Sequence, residues 1–301
     1  MAAQRALLPD GRWHFQHGPI DIVIGADGRP DAVHPAHHAA CQRFTTIRDE
    51  LVAELPALRL PVGAECPLQG IVARRMWAAC YPFRARFITP MAAVAGAVAQ
   101  ELIASYECDG IDRAWVNNGG DIALHLAPGQ SVRVGLFADL ARLDAQQLRS
   151  GITTDGHFDV SHAMPVRGVA TSGWRGRSFS LGIADSVTVL ARTAAVADAA
   201  ATVIANAVTI DDERIVRRPA CELKDDSDLG DIAVTVDVPT LDPGAVRLAL
   251  HAGVQRAREL RDAGVIWSCA LVCQGLLTTT DEDSDALARR AYDRVGGAVL
   301  A

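Results

Sequence analysis

Apolar and polar positions along the chain alternate in short runs, interrupted by a few longer amphipathic or Ala-rich stretches. RWHFQHGPIDIVIGADGRP, starting at Arg12, reads as two short strands with turns at His17-Gly18-Pro19 and Ala26-Asp27-Gly28. HPAHHAACQRFTTIRDELVAELPALR reads as a helix that ends at Pro56 or shortly after. A Pro/Gly-rich connection covers 60–70, and QGIVARRMWAACYPF fits either a strand or a short helix. In ITPMAAVAGAVAQELIASY, Thr89 suits an N-cap and Pro90 a first helical residue, which predicts a helix over about 90–105. AWV and IALHL alternate as strands on either side of NNGGD, and SVRVGLFA alternates again.

Residues 139–150 read as a short helix, and RGVATSGWRGRSFSLGIADSVTVLA holds two or three strands. Residues 192–208, RTAAVADAAATVIANAV, form a second Ala-rich helix, and 210–231 are polar, with KDDSDLGD as a solvated loop. IAVTVDVP is a strand, PGAVRLALHAGVQRARELRDAG an amphipathic helix closed by Gly264, VIWSCALVCQG a strand, and 283–295 a last helix. The elements do not alternate strictly as βαβ, so the pattern predicts an α+β fold with mixed or antiparallel sheets. No linker-like segment divides the chain, which predicts one domain over 1–301. Two Ala-rich helices, each preceded by strands, also suit an internal duplication.

Composition narrows the function classes. Half of the 301 residues are hydrophobic, enough for a sizeable core. The formal charge of −7 and the lack of a long basic run argue against a nucleic-acid surface. The seven cysteines are scattered without a CxxC pair, which suits a reducing, cytoplasmic setting. Cys269 and Cys273 would share one strand face as core thiols. The N-terminus has no apolar stretch behind a basic start, so no signal peptide is expected, and no apolar run is long enough for a membrane span. A small-molecule ligand is the expected partner, and small-residue helices suit packing in a homo-oligomer.

Three segments could carry chemistry. In NNGGDI, Gly119 and Gly120 let the backbone turn sharply and approach a ligand, and Asp121 could accept from a ribose, ribityl or ring N–H; a plain hairpin turn explains the same residues. In VATSGWRGRSFSLG, Ala170-Thr171-Ser172-Gly173 could offer amides and hydroxyls to a phosphate, with Arg175 or Arg177 as a clamp; a surface turn with solvated arginines is the alternative. Asp198, Thr202 and Asn206 recur four apart on one face of the second Ala-rich helix. Oxygen ligands at that spacing suit Mg²⁺, whereas a solvated polar stripe or an Asp198–arginine pair would explain them equally. Of the histidines, His34, His37 and His38 suit a solvated helix start, His125 a core position, and His162 lies close before the Thr-Ser-Gly loop.

Taken in order, NNGGDI, VATSG and AAVADAAATVIANAV resemble the ApbE-like superfamily, the FAD:protein FMN transferases. The resemblance is best over 88–210 and looks closest to an uncharacterised, cytosolic side branch. It implies a single ApbE-like domain, with Asp198 and Thr202 as Mg²⁺ ligands. It also implies that Asn118, Gly119, Gly120 and Asp121 contact a flavin nucleotide, and that Ala170, Thr171, Ser172, Gly173 and Arg175 line the same pocket.

Classical members carry an Asp…Lys-Gly segment where this chain has TPMAAVAGAVAQ, and a His-containing HIIDP-like segment where it has LGIADSVTVLA. The metal half of the pattern is thus kept and the flavin-transfer half changed, which leaves three expectations open. One is a Mg²⁺-dependent transferase or hydrolase acting on FAD or a related nucleotide. Another is a pterin-binding or biosynthetic protein of methanopterin-type one-carbon metabolism. The last is a non-catalytic subunit.

Overall fold

The computed structural model of the chain describes residues 2–136 and 156–280, and its α-helices and antiparallel strand pairings make an α+β fold. The short helix expected at 139–150 and the last helix at 283–295 lie outside the described residues. Contacts group the chain into two compact units. The first comprises Met1–Val132, Val160–Ala170 and Leu190–Ala199, and the second comprises the remaining stretches.

In the first unit, β1 (Gln4–Leu7), β2 (Trp13–His17), β3 (Ile20–Gly28), β4 (Ile111–Asn118), β5 (Asp121–Leu126) and β8 (Gly168–Ser172) are neighbours in that order, each pair antiparallel. β3 runs through the turn expected at Ala26-Asp27-Gly28, because Asp27 pairs with Arg113 of β4 and a bulge follows before Gly28. The β4–β5 connection is a two-residue hairpin. Gly119 and Gly120 have φ of 67° and 113°, a left-handed backbone that glycine adopts without strain. The Gly120 N–H donates to Asn117 Oδ1 at 2.8 Å, closing the turn.

Helix α1 (Pro30–Ala53) buries Ala36, Ala40, Phe44, Ile47 and Leu51, a stripe at helical spacing. Pro56 falls in a separate single turn, α2 (Leu55–Leu58). Between them, the Glu54 carboxylate accepts the N–H groups of Gln69 and Gly70 and so sets the start of α3 (Ile71–Cys80). The segment that fitted strand or helix is therefore helical. It buries Val72, Ala73, Met76, Ala79 and Cys80 on one side.

The helix predicted over 90–105 is divided. Pro90–Ala93 is a 3₁₀ turn, α4 spans Val94–Ile103, and Ala104–Tyr106 is 3₁₀ again. Thr89 makes no side-chain capping bond. The α-helix starts later because its first amides are capped from outside, by Asp198. Helix α4 packs on β4, β5 and α3 through Gly96, Ala97, Val98, Ala99, Leu102 and Ile103.

In the second unit, β6 (Ser131–Leu136) and β7 (Gly156–Ser161) form a ribbon joined by the Arg133–Asp159 ion pair. β9 (Ser186–Ala191), β12 (Ser268–Cys273) and β13 (Leu276–Thr279) are neighbours in that order, with β13 at the edge. Every residue of β9 and β12 is buried, Cys269 and Cys273 included, as expected for core thiols. The 169–191 segment thus holds two strands, β8 and β9. Helix α5 (Ala194–Ala207) runs from the first unit into the second, and its bounds match the Ala-rich pattern.

The polar stretch before residue 231 contains a short strand, β10 (Val216–Pro219), and a turn, α6 (Ala220–Leu223). β10 pairs with β11 (Ala233–Asp237). Helix α7 (Pro243–Asp262) is capped by Asp242, whose side chain accepts from the Gly244 and Ala245 amides, and ends before Gly264 at φ 70°. It packs on β12 and β13. No helix among the described residues is long and apolar enough to cross a membrane.

Candidate functional site

Within the first unit two distant motifs meet at Ala95–Gly96. The Gly96 N–H donates to Asp198 Oδ2 at 2.9 Å, and the Ala95 N–H also donates to this carboxylate. Asn118, at the end of β4 beside the Gly-Gly turn, donates from Nδ2 to the Ala95 carbonyl at 3.1 Å. The NNGGD turn and the Ala-Asp helix are thus anchored on one dipeptide at the start of α4. A carboxylate at that place meets unpaired amides and the positive end of the helix dipole.

Close approach makes this geometry possible. A Cβ on Gly96 would stand 2.3 Å from the Ala194 carbonyl oxygen and 2.9 Å from Asp198 Cβ. Asp198 keeps some solvent contact as a residue, while its carboxyl is enclosed by protein. Burial pushes the carboxyl up to about 7, against the opposing hydrogen bonds from Gly96 and Ala95. Among the described residues no basic side chain acts on this carboxyl. Cys80 lies near enough for the Asp198 charge to add to burial in raising its thiol.

In the second unit, the Thr171–Gly173 segment is held from two sides. Thr171 Oγ1 and Thr188 Oγ1 are hydrogen-bonded at 3.0 Å. A Cβ on Gly173 would stand 2.3 Å from the Asp185 carbonyl oxygen, so only glycine fits there. The Trp174 N–H donates to the Ala184 carbonyl at 3.0 Å. Thr171 and Ser172 are half-buried, and Arg175 is exposed with its guanidinium over the Trp174 ring.

Asp185 itself is buried, and its carboxylate accepts the Gln274 N–H. Sequence reading passed over this residue. Its signal was a lone acid in the apolar run GIADSVTV. Asn206, eight residues after Asp198 on the same helix, accepts from the Leu181 N–H at 2.9 Å and the Ser180 hydroxyl at 3.2 Å.

The histidines have structural duties. His162 Nδ1 donates to the Leu126 carbonyl at 2.7 Å, and His125 Nε2 donates to the Ile111 carbonyl at 3.2 Å. His34 and His38 are exposed, as a solvated helix start requires. His37 is half-buried and accepts from the Tyr106 hydroxyl at 2.7 Å; burial first, then the His34 charge, lowers it.

Among the described residues no three His, Cys, Asp or Glu side chains gather as a metal cluster. The donor chemistry of α5 nevertheless fits a hard cation. Asp198 and Thr202 both offer oxygen one helical turn apart; Thr202 keeps partial exposure, while the Asp198 carboxyl is enclosed beside the Ala95 and Gly96 amides.

The family model described as AbpE bacteria matches residues 5–279. A UPF0280 protein of Methanopyrus kandleri is 35% identical over 226 residues, covering 72% of this chain and 83% of that protein. A UPF0280 protein of Methanosarcina acetivorans is 31% identical over 205 residues, 67% of this chain and 74% of that one. Against a UPF0280 protein of Methanospirillum hungatei the identity is 37% over 132 residues, and the alignment spans 50% of that protein's length. Among solved structures, the apo form of the Pseudomonas stutzeri flavinyl transferase ApbE matches with a TM-score of 0.42 and 13% identity. That match covers 94% of this chain and 95% of that one.

Proposed function

The chain belongs to the family described as AbpE bacteria, and we propose that it binds a flavin-type heterocyclic nucleotide and acts on it by Mg²⁺-dependent group transfer or hydrolysis. The observation that carries this reading is the anchoring of Asn118 and Asp198 on Ala95–Gly96, two motif segments brought together at one helix start. Asp198 and Thr202 would hold the metal. Bound there, Mg²⁺ would neutralise phosphate charge and polarise the bond being broken.

The chain's own groups do the rest. Gly119 and Gly120 present backbone without side chains, which lets a flat ring approach, and Asp121 at the start of β5 accepts from a ring N–H or a hydroxyl. Ala170, Thr171, Ser172 and Gly173 line the ligand, their hydroxyls half-buried, and the exposed Arg175 guanidinium attracts phosphate. The free thiols suit a reducing compartment, the cytoplasm.

A pterin in methanopterin-type one-carbon metabolism, without FMN transfer, is the second reading. The feature favouring it is the Asp185-centred segment that replaces the classical His-containing one. Asp185 is committed to Gln274 rather than exposed as a group for transfer.

Calorimetric titration decides between the readings. FAD, FMN and reduced and oxidised pterins are titrated with and without Mg²⁺ into wild type, Asp198→Asn and Thr202→Ala. The flavin reading expects Mg²⁺-dependent FAD binding that both substitutions weaken while near-ultraviolet circular dichroism shows the fold retained. Binding of pterins alone would replace it with the second reading, and no binding of either class would overturn both.

A further inference from the structure

The second unit carries a groove that the reading above does not use. Between helix α7 and the edge strand β13 lies an open groove of about 460 Å³. Its floor is apolar, from Leu250 and Val254 on the helix and Leu276 and Leu277 on the strand. Its rim carries the guanidinium groups of Arg247 and Arg258, with His251 one helical turn from Arg247. Among the described residues no acidic side chain lines it.

The rim charges differ from the other cations of this helix. Of the four arginines on α7, Arg256 pairs with Glu259 at 2.8 Å, and Arg261 lies beside Asp262 and donates to the Thr280 carbonyl. Arg247 and Arg258, both exposed, have no acidic partner among the described residues. Gln255 donates to His251 Nε2 at 2.9 Å, which leaves the Nδ1–H of that ring as a donor. Arg247 and His251 are one helical turn apart, so one anionic group can be met by both. Arg258 follows Arg247 by eleven residues, or about 16 Å of helix. The apolar positions fall between these ends.

We propose that this groove binds an elongated anion, apolar in its middle and carrying a carboxylate or phosphate at each end. One end is held by Arg247 and His251 and the other by Arg258. The body lies on Leu250, Val254, Leu276 and Leu277, where burial drives binding and the cations select the ligand.

Dodecanedioate is the probe, titrated calorimetrically into the full chain beside dodecanoate and 1,12-dodecanediol. The expected result is one dodecanedioate per chain, bound about a hundredfold tighter than the diol, with dodecanoate between them. Arg247→Gln and Arg258→Gln should each weaken dodecanedioate about tenfold, and the double variant should bring it to the diol's affinity. Both arginines are exposed, so near-ultraviolet circular dichroism should match wild type. A diol that binds as tightly as the diacid, dodecanoate equal to the diacid, or unchanged affinity in Arg258→Gln would each overturn the proposal.

Discussion

The Gly96 amide donates to the Asp198 carboxylate at 2.9 Å, across 102 residues of sequence. Asp198 therefore has a structural duty whatever it binds: it caps α4 in the place Thr89 was expected to fill. Removing the carboxylate leaves the Ala95 and Gly96 amides without their acceptor. Asp198→Ala should cost about 1–3 kcal/mol in urea unfolding, whereas Asp198→Asn keeps an acceptor oxygen and should cost about 1 kcal/mol or less. Equal losses in the two variants would show that the charge, not the hydrogen bonding, holds the helix start. This is also why the asparagine variant is the cleaner probe of metal binding.

The close approach of α4 and α5 in the first unit rests on one missing Cβ. With a methyl group 2.3 Å from the Ala194 carbonyl oxygen, Gly96→Ala must push backbone against backbone. It should destabilise by about 1–3 kcal/mol although alanine is the better helix former. Gly63 is the control, because nothing lies within 4 Å of a Cβ added there. Gly63→Ala should change the unfolding midpoint little. If Gly96→Ala unfolds like wild type, the packing of these helices is looser than described.

Much of the fold could be read from local signals. The NNGGD hairpin follows from two adjacent glycines between alternating runs, and the α7 boundaries follow from Asp242 and Gly264. The end of β3 was not legible, because its continuation past Ala26 depends on pairing with β4, more than eighty residues on. The apolar run at Ile71–Cys80 is too short for its period to separate strand from helix, and Glu54, reaching Gln69 and Gly70, settles it. The site divides in the same way. Residue types and order marked Asp198, the Gly-Gly turn and the Thr-Ser-Gly segment, but nothing local revealed that Asp198 and Asn118 share Ala95–Gly96. Asp185 escaped notice because its partner, Gln274, is 89 residues away.

Glu101 bridges two arginines, with Arg43 and Arg75 each 2.7 Å from its oxygens. Burial would raise this carboxyl, but the hydrogen bonds and charges of Arg43 and Arg75 outweigh it and hold it below its ordinary value. A carboxyl lowered by folding stabilises the fold above its unfolded pKa and loses that contribution as pH falls through the folded value. Wild type should therefore weaken as pH drops below about 4.3. Glu101→Gln leaves the partly buried Arg75 guanidinium without its counter-charge, while Arg43 keeps its pair with Glu50 at 2.6 Å. It should cost about 1–3 kcal/mol at neutral pH and flatten the acid limb of a stability–pH curve measured by urea unfolding. A variant whose acid limb is as steep as wild type would assign that limb to other carboxylates.

Gln274 holds a φ of 45° in the tight connection between β12 and β13, where a glycine would sit without strain. Its side chain explains the choice. Nε2 donates to the Pro239 carbonyl at 2.7 Å, Oε1 accepts the Leu241 N–H at 2.9 Å, and its own N–H is held by Asp185. Gln274→Ala keeps the unfavourable backbone and loses both side-chain bonds, so it should destabilise by about 2–3 kcal/mol. Gln274→Gly loses the same bonds but relieves the backbone, and should recover about 1 kcal/mol of that loss. The order wild type, glycine, alanine in melting temperature is the signature of a strained residue kept for its cross-links. A glycine variant more stable than wild type would show that the strain exceeds what the two bonds return.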